Sequence, residues 1–308
     1  MLESRCVDGR RVRPWVGQTI ACANQKGGVG KTTTVVNLGT YLALAGERVL
    51  AIDLDPQGNA TSGFGCDRRL LDRSVYDAVI DAIGIERLIT ETGVPGLALV
   101  PSTIALAGAE IELAPLEQRE RRLARLLDPI RADFDYILID CPPSLGLLTV
   151  NALTAADSVL VPLQSEYYAL EGLSQLMATI ELVRDHLNPR LELKGVVLTM
   201  TDSRTRLSAD VAAEARRHLP GLVFETVVPR NVRLSEAPSH GLPIHGYRPG
   251  SPGAVAYRAL AAELRRRDAA RAVPAGWADP ERRAPIGVMG PAGDVATAAE
   301  TPLVGAER

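Results

Sequence analysis

The chain has 308 residues and a formal charge of −3 from 37 acidic against 34 basic side chains, so it can bury one large α/β core or two small ones, and it has no global attraction to nucleic acid or anionic lipid. Any polyanion site must be a local patch. Aromatics are only 4% of the residues, the four cysteines (Cys6, Cys22, Cys66, Cys141) are widely spaced with no CxxC pair or Cys/His cluster, and no stretch reaches the roughly 18 apolar residues of a membrane span, so a soluble cytoplasmic protein with free thiols is expected.

Residues 1–16 (MLESRCVDGRRVRPWV) read as a loose basic leader without the apolar region of a signal peptide. Short apolar runs then alternate with amphipathic stretches, the pattern of βαβ units around a mostly parallel sheet. The pattern predicts strands at Thr19–Ala23, Val49–Leu54, Leu97–Pro101, Tyr136–Asp140, Ser158–Pro162, Gly195–Met200 and Val223–Val228. The first helix places Val35, Leu38, Leu42 and Ala45 on one face and stops at Gly46, where a left-handed cap suits glycine. Further helices are predicted at Ser74–Asp81, Leu116–Arg131, Leu170–His186, Leu207–His218 and Ala254–Arg267. From Asp268 onward Ala, Pro, Gly and charge dominate, which predicts a disordered tail over 268–308 and a single folded domain over 17–267.

The strongest motif is ANQKGGVGKTTT at residues 23–34, placed between a predicted strand and a predicted helix as a phosphate loop requires. Gly27, Gly28 and Gly30 let backbone amides turn toward phosphates, with Val29 and Thr33 completing the cradle, and the positive end of the helix dipole points at the same charge. Lys31 would neutralise the β and γ phosphates of ATP, and the Thr32 hydroxyl would ligate Mg²⁺. The generic motif opens with a glycine where this chain has Gln25; a second lysine, Lys26, follows it.

Two acidic motifs end neighbouring strands. IDLDPQGN supplies Asp53 and Asp55, and ILIDCPPS supplies Asp140. Ligands of open α/β sheets bind beyond the carboxyl ends of the strands, so these acids and the loop can converge. Asp140 would hold the water shell of Mg²⁺, and Asp55 would orient the attacking water. Asp53 is either a further metal-site residue or a cap for the turn that follows it.

Lys26 in KGGVGKTTT, with DLDPQGN and DCPPS, resembles the deviant Walker A group of P-loop ATPases. Within that group, EYYALEGL at residues 166–173 and PRNVRLSEAPSHGLPI at residues 229–244 resemble the ParA/Soj chromosome-partitioning family. The resemblance covers residues 17–267. It implies an α/β P-loop fold with a doubly wound, mostly parallel sheet, and an ATP-dependent homodimer sandwiching two nucleotides. It further implies non-specific binding to double-stranded DNA on the nucleoid, and hydrolysis stimulated by a ParB-like centromere-binding partner. Lys26 would then reach the partner subunit's phosphates as an arginine finger does, an effect of order ~10³-fold on turnover. Adenine would sit at Pro229, Arg230 and Asn231.

In the same family, positions matching Arg204 and Arg233 hold DNA, and Arg206 and Arg230 lie beside them; from charge alone, these arginines would instead solvate the surface or pair with Asp202 and Glu236. Two other members of the group bound the reading. A MinD-like membrane-cycling ATPase would need a strongly apolar, lysine-rich terminal helix, and an iron-sulfur reductase would need two cluster cysteines per subunit. The terminal helix here has an alanine-rich face expected to dock on the domain, and Cys141 reads as a buried packing residue.

Overall fold

The computed structural model describes residues 17–166, 169–202 and 204–271, with a two-residue antiparallel pair, Cys6–Val7 with Arg10–Arg11, ahead of them. Most of the leader, Tyr167, Tyr168, Ser203 and the expected tail beyond Arg271 lie outside the described residues.

Seven strands form one sheet: β1 Gln18–Cys22, β2 Val49–Asp53, β3 Thr90–Glu91, β4 Leu97–Val100, β5 Tyr136–Asp140, β6 Ser158–Gln164 and β7 Glu192–Thr199. Their order is β3-β4-β2-β5-β1-β6-β7, parallel except where β3 meets β4. Both faces of the sheet are covered, which is why VLAID, YILID and SVLVPLQ are buried at every position and read as continuous apolar runs.

One face carries α1 Lys31–Leu44, α2 Asn59–Gly63, α9 Val232–Glu236, α10 Ile244–Tyr247 and α11 Pro252–Arg271. The other carries α3 Val75–Asp81, α4 Ala109–Leu113, α5 Arg122–Leu127, α6 Leu147–Ala155, α7 Ala169–His186 and α8 Arg206–His218. Helix α1 stops as expected before Gly46 at φ 87°. It is buried on more than one face, because α11 packs against it as well as the sheet. Helix α3 starts on a capping box between Ser74 and Asp77.

Several expectations are corrected. The predicted helix Leu116–Arg131 is broken: Gln118 takes φ 50°, only Arg122–Leu127 is α-helical, and Pro129 ends it. The predicted strand Val223–Val228 forms no ladder: Val223 makes an isolated bridge to Val196, and a second bridge, Thr201 to Pro229, lies just beyond it. Its Glu225 and Thr226 amides donate instead to the Glu263 carboxylate of α11, both at 2.9 Å, which withdraws them from a ladder. Helix α11 runs four residues past its expected end, to Arg271, and Asp268 is buried rather than the start of a tail. There it accepts from Lys194 and, at 2.8 Å, from the Tyr136 hydroxyl. The docked face of α11, with Leu260 and Leu264, is fully buried, as the alanine-rich pattern predicted.

Candidate functional site

Strand β1 ends between β5 and β6, and the chain turns through residues 23–30 straight into α1. Gly28 and Gly30 sit at φ 74° and 91°, a left-handed conformation that suits glycine. A Cβ added to Gly27 or Gly28 would meet nothing within 4 Å, so the mouth of the loop is open to a ligand. Side chains from neighbouring strands pin the loop. Asn24 is buried, donates to the Pro162 carbonyl at 2.7 Å and accepts from the Lys26 amide at 3.0 Å. Thr199, at the end of β7, donates to the Val29 carbonyl at 2.8 Å. Lys31 is buried and folds back over the loop, its Nζ donating to the Lys26 carbonyl at 3.3 Å. With the amides opening α1, Lys31, Thr32 and Thr33 form a concave positive end suited to phosphate.

Lys26 behaves differently. Its ammonium turns outward, 38% exposed, and pairs at 2.7 Å with Glu166 beyond the end of β6.

Register brings the acids beside the loop. Asp53 pairs with Asp140 across β2 and β5, and Asp140 pairs with Cys22 across β5 and β1, so both acids stand at the carboxyl edge next to Lys31. Asp140 is fully buried and neither of its carboxylate oxygens has a hydrogen-bond partner of good geometry. Burial and the neighbouring Asp53 charge push its pKa well up, while the Thr32 hydroxyl and Lys31 pull the other way. A buried, unpartnered carboxyl beside a threonine hydroxyl is the donor set a hydrated Mg²⁺ takes, and a cation there would relieve the charge that burial penalises. The residues fit that ion.

Asp53 is differently occupied. One oxygen accepts from the Asp55 amide at 3.2 Å, and the other accepts from the Thr61 amide and hydroxyl, both at 2.7 Å. Burial still raises its pKa to about 6 against those bonds. Both oxygens thus bond the turn and α2, the arrangement of a cap. Asp55 is buried, accepts from the Gln57 amide at 2.9 Å through one oxygen, and is held by Ser102, whose hydroxyl donates to its carbonyl at 2.8 Å.

A cavity of about 400 Å³ opens beside Thr32 and Thr33, between α1, α2 and the segment that runs from α9 to α10. Its walls include Asn37, Asn59, Leu234, Ala237, Pro238 and Leu242. Asn37 bridges two of them, donating to the Thr33 carbonyl and accepting from the Ile244 amide, both at 2.8 Å. Pro229, Arg230 and Asn231, expected at adenine, are not among the lining residues, and the Asn231 side chain accepts from the Arg233 amide to cap α9. Leu234, Ala237 and Leu242 belong to the PRNVRLSEAPSHGLPI run but carry no polar signature, and so escaped notice. Asn37 could have been found from its place one helical turn after Thr33.

The four candidate DNA arginines come from two adjacent segments. The Thr201 amide donates to Val228 and the Arg230 amide donates to Thr201, so the loops after β7 and after residue 228 are bonded side by side. Arg204 and Arg230 both act on Asp202, whose pKa they hold far below the usual carboxylate range, Arg204 through direct bonds. Arg206 lies 3.9 Å from Asp210, and Arg233 pairs with Glu236 at 2.7 Å. The anticipated pairs with Asp202 and Glu236 are therefore present. The Arg204, Arg206 and Arg233 side chains remain 87%, 94% and 49% exposed, with donors facing solvent.

Residues 17–193 match the family described as "AAA domain" (AAA_31). The chain is 57% identical over 249 residues to the sporulation initiation inhibitor protein Soj of Bacillus subtilis, spanning 81% of this chain and 98% of that protein. It is 53% identical to the chromosome partitioning protein ParA of Myxococcus xanthus, over 84% of this chain and 93% of that one. Among solved structures, the cobyrinic acid a,c-diamide synthase of Mycobacterium smegmatis with bound ATP analog and magnesium superposes with a TM-score of 0.73 at 40% identity, over 83% of this chain and 97% of that one. Identity above 50% over more than four fifths of the chain shows that the chain belongs to the ParA/Soj family of chromosome-partitioning ATPases.

Proposed function

We propose that this protein is a DNA-partitioning ATPase that works as a nucleotide-switched homodimer, on the nucleoid and under the control of a ParB-like centromere-binding protein. The observation that carries the reading is the contrast between its two loop lysines: Lys31 is buried against its own loop, whereas Lys26 is partly exposed at the mouth, where a screened ion pair with Glu166 holds its ammonium. Residues 17–271 form the engine.

Within one subunit, Lys31, Thr33 and the loop amides would hold the triphosphate of ATP, and Thr32 and Asp140 would hold hydrated Mg²⁺. The cavity walled by Asn37, Leu234 and Leu242 takes the nucleoside end. Mg²⁺ supplies charge neutralisation between the phosphates. Asp55 orients a water toward the γ-phosphorus; the water oxygen forms the new P–O bond as the bond to the β-phosphate oxygen breaks, ADP leaves with that electron pair, and the water proton passes to an oxygen of the released phosphate. Lys26 of the facing subunit places its ammonium on the same phosphates, so turnover requires the dimer. The arginine clusters, doubled by dimerisation, turn weak monomer binding to DNA into a steep gain.

The test is sedimentation of full-length Asp55→Ala protein with Mg·ATP, with Mg·ADP and without nucleotide, alone and with double-stranded DNA across a salt series. A dimer that binds DNA in the ATP sample only is expected. A monomer in all three, or equal DNA affinity in all three, overturns the reading.

A further inference from the structure

We infer that Glu166 is a positioning residue: it stores Lys26 within its own subunit and thereby sets how much ATP is needed before the dimer closes. The inference rests on the proposed role of Lys26 in trans. Its own observation is the 2.7 Å pair between Lys26 Nζ and Glu166 Oε2.

The pair is built from fixed parts. The Lys26 amide is held by Asn24, which is itself anchored on the Pro162 carbonyl of β6. The other carboxylate oxygen of Glu166 accepts from Gln164, the buried last residue of the same strand. Both partners therefore hang from the end of β6, and the lysine is held at the mouth of its own loop. If Lys26 reaches a partner's phosphate its ammonium moves off Glu166, so dimer closure exchanges one anion for another.

Magnitude makes this a threshold rather than a block. Both side chains are more than a third exposed, 38% and 44%, and an ion pair so screened shifts an equilibrium by about 1.5- to 5-fold. A symmetric dimer breaks two, so the combined effect on dimerisation is about 2- to 25-fold. The several charges of a triphosphate outbid one carboxylate, whereas a diphosphate lacking the γ group competes less well.

The chain makes the pair directly readable. Its three lysines are Lys26, Lys31 and Lys194, and the latter two are buried. An amine-reactive acetylating reagent, followed by peptide mass spectrometry, thus reports Lys26 on full-length protein. In the nucleotide-free protein, Glu166→Gln is expected to raise the Lys26 labelling rate about 2- to 5-fold, with the difference fading at 1 M salt and Glu166→Asp lying between. On an Asp55→Ala background, Glu166→Gln should also lower the ATP concentration for half-maximal dimerisation by about 2- to 25-fold. Unchanged labelling at low salt overturns the pair itself. Raised labelling with an unchanged or higher ATP requirement overturns the threshold, and a higher requirement would place Glu166 against the partner instead. If Glu166→Gln raises labelling but the Asp55→Ala protein with intact Glu166 stays monomeric at saturating ATP, the role of Lys26 in trans fails, and the inference with it.

Discussion

Gly65 and Gly241 pack backbone against backbone. A Cβ on Gly65 would stand 2.8 Å from the Gly241 carbonyl oxygen, and one on Gly241 would stand 3.0 Å from the Gly65 Cα, with φ at 81° and 62° respectively. This approach joins the turn after α2, which Asp53 holds through Thr61, to the segment that returns through Ile244 to Asn37 and Thr33. The cavity beside the phosphate loop is bounded by that closed circuit.

Alanine at either glycine should therefore be costly. The left-handed conformation costs roughly 1–2 kcal/mol and forced separation of the backbones a further ~1–3 kcal/mol, so each variant should melt roughly 5–15 °C lower and bind nucleotide more weakly. Calorimetry with and without Mg·ATP checks both parts. Alanine at Gly27, which has φ in the ordinary range and nothing within 4 Å, should leave the melting temperature within about 2 °C.

Asp140→Asn separates metal binding from folding. It removes a buried carboxyl whose charged form burial disfavours, so the nucleotide-free protein should gain on the order of 1 kcal/mol, or about 2–4 °C. The same change should weaken Mg²⁺-dependent nucleotide binding by about 10-fold or more. Thermal shift with ATP in EDTA and in Mg²⁺ shows both; a destabilised apo protein would contradict the assignment.

Lys194 and Asp268 form a buried ion pair whose side chains are 2% and 0% exposed. Lys194→Met strands a carboxylate and should cost about 3–5 kcal/mol, whereas Lys194→Met with Asp268→Leu should recover most of it. Burial also lowers the Lys194 pKa from its ordinary 10.5. Between the lowered value and 10.5 the unfolded chain binds more protons than the folded one, so this residue makes stability rise with pH over that interval. Denaturant titrations in the alkaline range should show that contribution in the parent protein and lose it in the double variant.

Arg204→Ala and Arg233→Ala should each weaken DNA binding by the ATP-bound protein without regard to sequence. Each DNA phosphate that is no longer neutralised lowers the slope of log affinity against log salt by about 0.9, hence ~1.8 for a dimer. Fluorescence anisotropy at several salt concentrations measures it. Because Arg204 already pairs with Asp202, Asp202→Asn should strengthen DNA binding.

The phosphate loop was legible because its chemistry lies in one contiguous run, where glycine spacing and lysine placement leave few other readings. The inner strands were legible because a doubly covered sheet writes itself as unbroken apolar text. Helix α6, LLTVNALTA, was missed for the same reason, since a short segment buried on most sides shows no helical period. What failed elsewhere depended on distant partners. Nothing near Glu225 and Thr226 signals that Glu263 will take their amides, and nothing near Asp268 signals Lys194, 74 residues away. The capping bonds of Asp53 likewise depend on Thr61, which meets it only once α2 has folded.

The four residues by which α11 outruns its compositional boundary have a practical meaning for anyone trimming or tagging this protein. A terminus placed at Arg267, where the sequence begins to look dispensable, would delete the counter-ion of an interior ammonium and release the far end of a helix whose near end, through Tyr257, touches Thr34 of the phosphate-loop helix at 3.1 Å. Truncations and fusions intended to spare the ATPase belong after Arg271.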